Sequence, residues 1–116
     1  SQENARNDRN MGEVQKILSD GMLTARQYES RRLATDIQKQ SLARLKRRGY
    51  TVRDNGTRSA PFIVLLGARM PCVLVEVGYC SNKAEARRLL DPKHRQALAQ
   101  GISNGVHAYA RGLSGR

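Results

Sequence analysis

Residues 70–82 have the sequence MPCVLVEVGYCSN, and their centre, residues 72–77, is an apolar, β-favouring run interrupted by one carboxylate, that of Glu76. A continuous apolar run of this length predicts a strand that is buried on both faces of a parallel sheet. Burial of an ionised carboxylate is costly unless a cation, a metal or strong hydrogen-bond donors compensate it. Glu76 is therefore the residue of this run that needs an explanation.

The position of Glu76 along the predicted strand is also informative. Gly78 follows it closely, and Ser81 and Asn82 have the character of a turn and a helix cap, which places Glu76 at the carboxyl end of the strand. Ligand crevices of open α/β sheets lie at these strand ends. Two structural alternatives stay open, namely an ion pair with an arginine or a side chain that reaches solvent.

The composition predicts one small domain built from aliphatic side chains. The chain has 116 residues, of which only 4% are aromatic, so its core must come from Leu, Val, Ile and Ala. Such a core suits helices packed on a sheet. No apolar stretch reaches the length of a membrane span, and no signal-peptide pattern opens the sequence, so any leader is expected outside it.

The charge of +11 predicts an anionic partner. Nucleic acid, an acidic membrane surface and a polymer that bears carboxylates or phosphates all fit this charge. A nucleic-acid module usually interleaves its basic residues with stacking aromatics or carries a recognised motif, and neither feature is present. The sequence therefore disfavours nucleic acid as the partner.

The cysteines and histidines do not form a recognisable metal motif. Cys72 and Cys80 flank the predicted strand at a separation too great for a disulfide, and they lack zinc-site spacing, so we expect two buried thiols. His94 is expected to be exposed in the first turn of a helix, and His107 to lie beside an apolar stripe. A structural role is predicted for both histidines, because a single imidazole without converging partners is no metal site.

Helices are predicted before and after the apolar runs. Residues 1–10 are polar and predict a loop, residues 11–18 predict a short amphipathic helix that ends by Gly21, and residues 24–48 predict a long helix with Gly49 as its C-cap. Residues 62–66 predict a second buried strand, which is either antiparallel to the first or at the sheet edge.

The last third of the chain predicts two capped helices. Asn82 is the expected cap of the first, and Asp91 with Pro92 begins the second. Gly101 and Gly105 lie on the apolar stripe of the final helix, where a missing side chain is expected to permit close approach to the sheet.

Four segments resemble a known family when they are taken together. Residues 29–34 (ESRRLA), 60–66 (APFIVLL), 70–82 and 85–90 (EARRLL) occur in the order found in the C-terminal half of the zinc-dependent N-acetylmuramoyl-L-alanine amidases of the amidase-3 type. The resemblance covers about residues 24–111. It implies an α/β fold, in which a central, mostly parallel sheet is flanked by helices and this chain supplies about two core strands and three to four helices.

The resemblance also implies a reaction. Members of this family are cell-wall hydrolases that use zinc to cleave the amide between N-acetylmuramic acid and the L-alanine of the peptidoglycan stem peptide. Glu76 would be their catalytic general acid and base beside the metal. The zinc ligands of the family, two histidines and a glutamate, come from motifs upstream of the matched region, so they are expected upstream of Ser1.

The resemblance implies the following organisation. Residues 24–116 would be the C-terminal portion of a single catalytic domain that needs its remainder, and residues 1–23 a variable, regulatory segment. Residues 11–18 could be part of an inhibitory helix or simply an amphipathic core helix. The implied partners are peptidoglycan and an activator protein, outside the cytoplasm in the periplasm or cell wall. The alternative function is a non-catalytic wall-binding or regulatory module of the same fold.

Overall fold

The computed structural model describes residues 2–60, 63–65 and 67–115, and for residues 2–8 it describes the backbone only. Three α-helices account for most of these residues: α1 (Gln2–Arg47), α2 (Lys83–Leu90) and α3 (Pro92–Ser114). A single 3-10 turn, Ile63–Leu65, lies in the long connection between α1 and α2. Among the described residues, no helix combines the length and apolarity needed to cross a membrane.

Helix α1 runs without interruption for 46 residues. The predictions of a loop over the first ten residues and of a break at Gly21 are therefore wrong for the described part of that region. A glycine inside a helix costs only about 1 kcal/mol relative to alanine. This penalty is too small to end a helix whose flanking residues are helix-compatible on both sides.

Helix α1 ends in a Schellman motif at Gly49, which was predicted to be the C-cap of this helix. Gly49 has a φ of +87°, which a side chain would disfavour. Its N–H donates to the carbonyl of Lys46 at 3.0 Å, and the N–H of Tyr50 donates to the carbonyl of Leu45 at 3.0 Å. The chain therefore turns sharply at Gly49 and leaves the helix axis.

Helices α1 and α3 pack antiparallel and form the core. The buried side chains repeat every four residues on both helices, with Ile37, Ser41 and Leu45 on α1 facing Ala97, Gly101, Gly105 and Tyr109 on α3. A Cβ added at Gly101 would lie 2.6 Å from the Cα of Ser41. The predicted close approach at these glycines is therefore present, but the neighbour is α1 and not a sheet.

The predicted α/β sheet is wrong for this chain. Within the described ranges no residue belongs to a β-strand, and residues 71–79 are irregular. A strand forms only where a second backbone pairs with it, and no backbone–backbone hydrogen bond among the described residues involves residues 70–78. Phe62 and Leu66, the ends of the other predicted strand, lie outside the described residues.

The connection from α1 to α2 is held against α1 by side-chain hydrogen bonds. Gln38 donates to Asp54 Oδ1 at 3.0 Å, and the same oxygen accepts the N–H of Gly56 at 2.8 Å. Arg26 donates to the carbonyl of Ala68 at 3.3 Å. These bonds return the chain along α1 and bring residues 68–72 beside its middle.

Candidate active site

Glu76 lies on the surface in the irregular segment that precedes α2. Its side chain is exposed, and Leu74, Val75 and Val77 beside it are also exposed. The prediction of burial on both faces is therefore wrong. No described side chain forms a hydrogen bond or ion pair with Glu76, so its surroundings match the alternative in which it reaches solvent. The burial argument for Glu76 fails, and its catalytic role stays a prediction.

The stretch that carries this carboxylate, residues 72–79, is called the Glu76 segment below. It is anchored at both ends to helices. The N–H of Cys72 donates to Ser30 Oγ on α1 at 3.0 Å, and the N–H of Tyr79 donates to Glu85 Oε2 on α2 at 3.0 Å. The two anchors lie on opposite sides of Glu76 in sequence, so side chains of α1 and α2 hold its backbone.

The start of α2 is determined by the cap that the sequence predicted. Asn82 Oδ1 accepts the N–H groups of Ala84 at 3.0 Å and Glu85 at 3.1 Å, and the N–H of Asn82 donates to the carbonyl of Tyr79. Gly78 has a φ of +154°, and a Cβ there would lie 3.5 Å from that of Glu85. The end of the Glu76 segment therefore lies directly against α2.

The start of α3 is tied to the end of α1. Asp91 caps α3 by accepting the N–H of Lys93 at 3.0 Å, and Pro92 occupies the first turn, as predicted. Tyr50, which follows the Schellman turn, donates to the other carboxylate oxygen of Asp91 at 3.0 Å. The hydrogen bonds from Tyr50 and Lys93 lower the pKa of Asp91, whereas desolvation and then Asp91 raise the pKa of Tyr50.

The histidines have different surroundings from each other. His94 is only 4% exposed, and its ring packs edge-to-face on Tyr50 at a centroid distance of 4.8 Å. The prediction that His94 is exposed is wrong, because the Schellman turn directs Tyr50 onto α3. Burial lowers the pKa of His94, Arg88 lowers it further and Asp91 opposes them. His107 is exposed on α3.

The described residues do not fit a zinc site by themselves. Among them, no group of three or more His, Cys, Asp or Glu side chains converges closely enough to hold a metal ion. Cys72 and Cys80 are free thiols, but the prediction that both are buried is wrong, since Cys72 is only partly buried and Cys80 is exposed. Zinc therefore stays a prediction.

Two residues that position the Glu76 segment, Ser30 and Glu85, lie in the motifs 29–34 and 85–90 of the family resemblance, but no role was predicted for either of them from the sequence. Glu85 follows Asn82 by three residues, which is the spacing of a helix cap and its acidic partner, and this spacing could have drawn attention to it. Ser30 gives no local indication, because it contacts Cys72 across 42 positions of the chain.

Residues 14–108 of this chain match the Amidase_3 family, which is described as N-acetylmuramoyl-L-alanine amidase. The match covers well over half of the sequence and includes the whole Glu76 segment with both of its anchors. The chain therefore belongs to the Amidase_3 family. No solved structure shows a significant match to it.

Several curated bacterial proteins are similar to the chain. It is 38% identical over 80 residues to the uncharacterized protein YqiI of Bacillus subtilis (strain 168), a region that is 69% of this chain and 36% of YqiI. It is 35% identical over 82 residues to N-acetylmuramoyl-L-alanine amidase LytC of the same organism, which is 71% of this chain and 16% of LytC. It is 34% identical over 67 residues to the probable cell wall amidase LytH of Staphylococcus aureus, which is 58% of this chain and 23% of LytH. The chain thus spans about a third or less of these relatives.

Proposed function

We propose that the protein containing this chain is a peptidoglycan hydrolase that cleaves the amide between N-acetylmuramic acid and the L-alanine of the stem peptide. The observation that carries the proposal is the family match over residues 14–108, which includes Glu76. The names of LytC and LytH, an N-acetylmuramoyl-L-alanine amidase and a probable cell wall amidase, support the same substrate class.

Glu76 is the proposed general acid and base. A carboxylate beside the scissile amide can take a proton from the attacking water and return it to the leaving amine. The support for this role is the position of Glu76 inside the family match; its side chain is exposed and is therefore accessible to a substrate.

The test compares Glu76→Gln with the parent in the whole protein acting on purified peptidoglycan. The amide keeps the size of the side chain but cannot exchange a proton, so we expect turnover to fall by roughly 10²–10⁴-fold. Arg111→Gln is the control, since Arg111 is exposed near the end of α3, outside the matched residues 14–108 and outside the regulatory segment, and its replacement should leave turnover unchanged. Near-normal turnover of Glu76→Gln would contradict the assignment.

Zinc dependence and an activator protein are finer proposals. The relatives extend far beyond the matched region, and we propose that the zinc ligands come from the corresponding part of the whole protein. Metal analysis of the whole protein tests this directly, and a stoichiometric zinc content is expected. A metal-free protein that remains active would contradict it. The substrate class also supports a location outside the cytoplasm, in the periplasm or cell wall.

A further inference from the structure

The Glu76 segment is held in an unusual way for an apolar run of its composition. A strand would be held by a ladder of backbone hydrogen bonds, but among the described residues its amides bond only to two side chains, those of Ser30 and Glu85. Within the described residues, these two acceptors hold the backbone on either side of Glu76. The Glu85 anchor, at Tyr79, is three residues from Glu76, whereas the Ser30 anchor, at Cys72, is four residues away.

Glu85 departs from the usual behaviour of an acidic residue at this helix position. In a capping box, the carboxylate of the third helical residue accepts the N–H of the cap residue itself. Here the N–H of Asn82 donates to the carbonyl of Tyr79, and the Glu85 carboxylate accepts the N–H of Tyr79 instead. The carboxylate thus reaches past the start of α2 and binds the backbone of the Glu76 segment.

A second contact supports the same role. Gly78 has no side chain and lies against α2. A Cβ added at Gly78 would lie 3.5 Å from the Cβ of Glu85 and 3.6 Å from the Cδ1 of Leu89. The Glu85 side chain therefore both packs against Gly78 and binds the next amide. A hydrogen bond to an ionised acceptor is stronger than a neutral one, which suits a bond that fixes a surface segment.

We infer that Glu85 is a positioning residue for Glu76: its carboxylate holds the Tyr79 N–H and thereby sets where the Glu76 carboxylate lies relative to the scissile amide. This inference rests on the proposed function. Displacement of a reacting group by about 1 Å can cost about 10²-fold in rate, so loss of the anchor should appear in the chemical step.

The experiment measures kcat and KM of the whole protein on purified peptidoglycan for Glu85→Ala, Glu85→Gln and the control Lys83→Ala. Lys83 begins α2, is exposed, and its side chain forms no hydrogen bond with the Glu76 segment among the described residues. For Glu85→Ala we expect kcat to fall about 10- to 100-fold with KM little changed. Glu85→Gln keeps an acceptor oxygen and should restore most of kcat, and Lys83→Ala should resemble the parent.

Amide hydrogen exchange at Tyr79 provides a readout that does not depend on activity. Exchange should be faster in Glu85→Ala and close to that of the parent in Glu85→Gln. Unchanged kcat in Glu85→Ala, or an equal loss in the alanine and glutamine variants, would overturn the inference. Failure of the proposed function is recognised separately, since Glu76→Gln would then keep its turnover whatever the Glu85 variants do.

Discussion

At the scale of single residues, His94 shows how a local pattern can mislead. Its place in the first turn of α3 predicts exposure, but Tyr50 lies against it and leaves it 4% exposed. Among the described atoms, His94 Nδ1 is buried without a hydrogen-bond partner. A charged imidazolium would be poorly solvated in this position, so the structure favours the neutral ring.

We therefore predict that His94 makes stability pH-dependent. Because burial lowers the pKa of His94 in the folded chain, the unfolded chain binds the proton more tightly. The contribution of the neutral His94 ring to the unfolding free energy is fully present above the ordinary histidine pKa of about 6.5. This contribution is lost as the pH falls below that value towards the lowered pKa of the folded chain. Asp54 and Asp91 also have lowered pKa values, but their contributions are lost only below about pH 4.

The measurement is urea unfolding between about pH 7 and pH 5, the range in which histidine changes its charge. His94→Phe keeps a ring against Tyr50 but cannot titrate, so its unfolding free energy should vary less with pH than that of the parent. His107→Gln removes the exposed histidine of the same helix and should keep the parent's pH dependence. Equal slopes for His94→Phe and the parent would refute the prediction.

At the scale of elements, the helix ends follow the sequence and the helix contacts do not. Gly49, Asn82 and Asp91 act as the predicted caps because a cap depends on hydrogen bonds within a few residues. The small residues of α3 were also recognised, but their neighbour was not. Which surface meets Gly101 depends on residues such as Ser41, which lies 60 positions earlier in the chain.

We predict that Gly101→Ala destabilises the chain. The new Cβ would lie 2.6 Å from the Cα of Ser41, and a backbone atom cannot move aside as a flexible side chain can. Overpacking of this kind typically costs about 1–3 kcal/mol. Gly21→Ala is the matched control, because nothing lies within 4 Å of the position and alanine should stabilise the helix by up to about 1 kcal/mol. Thermal unfolding of both variants should give shifts of opposite sign.

At the scale of the whole molecule, the chain is elongated. Its radius of gyration is 20.1 Å and its extents are 71 × 37 × 19 Å, whereas a compact domain of this length has a radius of about 13 Å. The first half of α1 causes the difference. There, Met11, Val14, Ile17, Leu18 and Met22 are all more than half exposed. Among the described side chains of this helix, all the buried ones lie in its second half.

This division of α1 predicts unequal effects for the same substitution. Leu45 is 6% exposed against α3, so Leu45→Ala should cost about 2–5 kcal/mol. Leu18 is 61% exposed on the same helix, so Leu18→Ala should change the unfolding free energy by no more than about 0.5 kcal/mol. Chemical denaturation of the two variants measures the difference. A large loss for Leu18→Ala would show that the first half of α1 is packed in solution.

Under the proposed function, the net charge of this chain predicts that attachment to the wall is sensitive to salt. Lys and Arg number 21 against 10 Asp and Glu, and attraction between exposed charges weakens as the Debye length shortens to about 3 Å at 1 M salt. Retention on purified sacculi should therefore fall steadily as salt is raised from about 0.05 M, where screening is weak. Retention that does not change with salt would contradict an electrostatic contribution.

The candidate site was predictable only in part. Glu76 drew attention as the polar member of an apolar run, and the surrounding motifs led to the correct family, but the burial that first singled it out is absent. The anchors of its segment, Ser30 and Glu85, come from two different helices. Apolar composition indicates only that a segment can pair as a strand, because pairing needs a second backbone that composition does not specify.

By itself, the sequence determined the caps at Gly49, Asn82 and Asp91, the small-residue stripe of α3, the net charge and the family, because each of these depends on neighbouring residues or on an ordered set of motifs. Only the tertiary structure decided that α3 packs on α1, that His94 is buried by Tyr50 and that helices α1 and α2 hold the Glu76 segment. Except for the local bond between Glu85 and Tyr79, these contacts join residues that are about 40 to 70 positions distant in the sequence. They form because the surfaces involved bury each other's apolar area, and the local sequence does not specify which surfaces will meet.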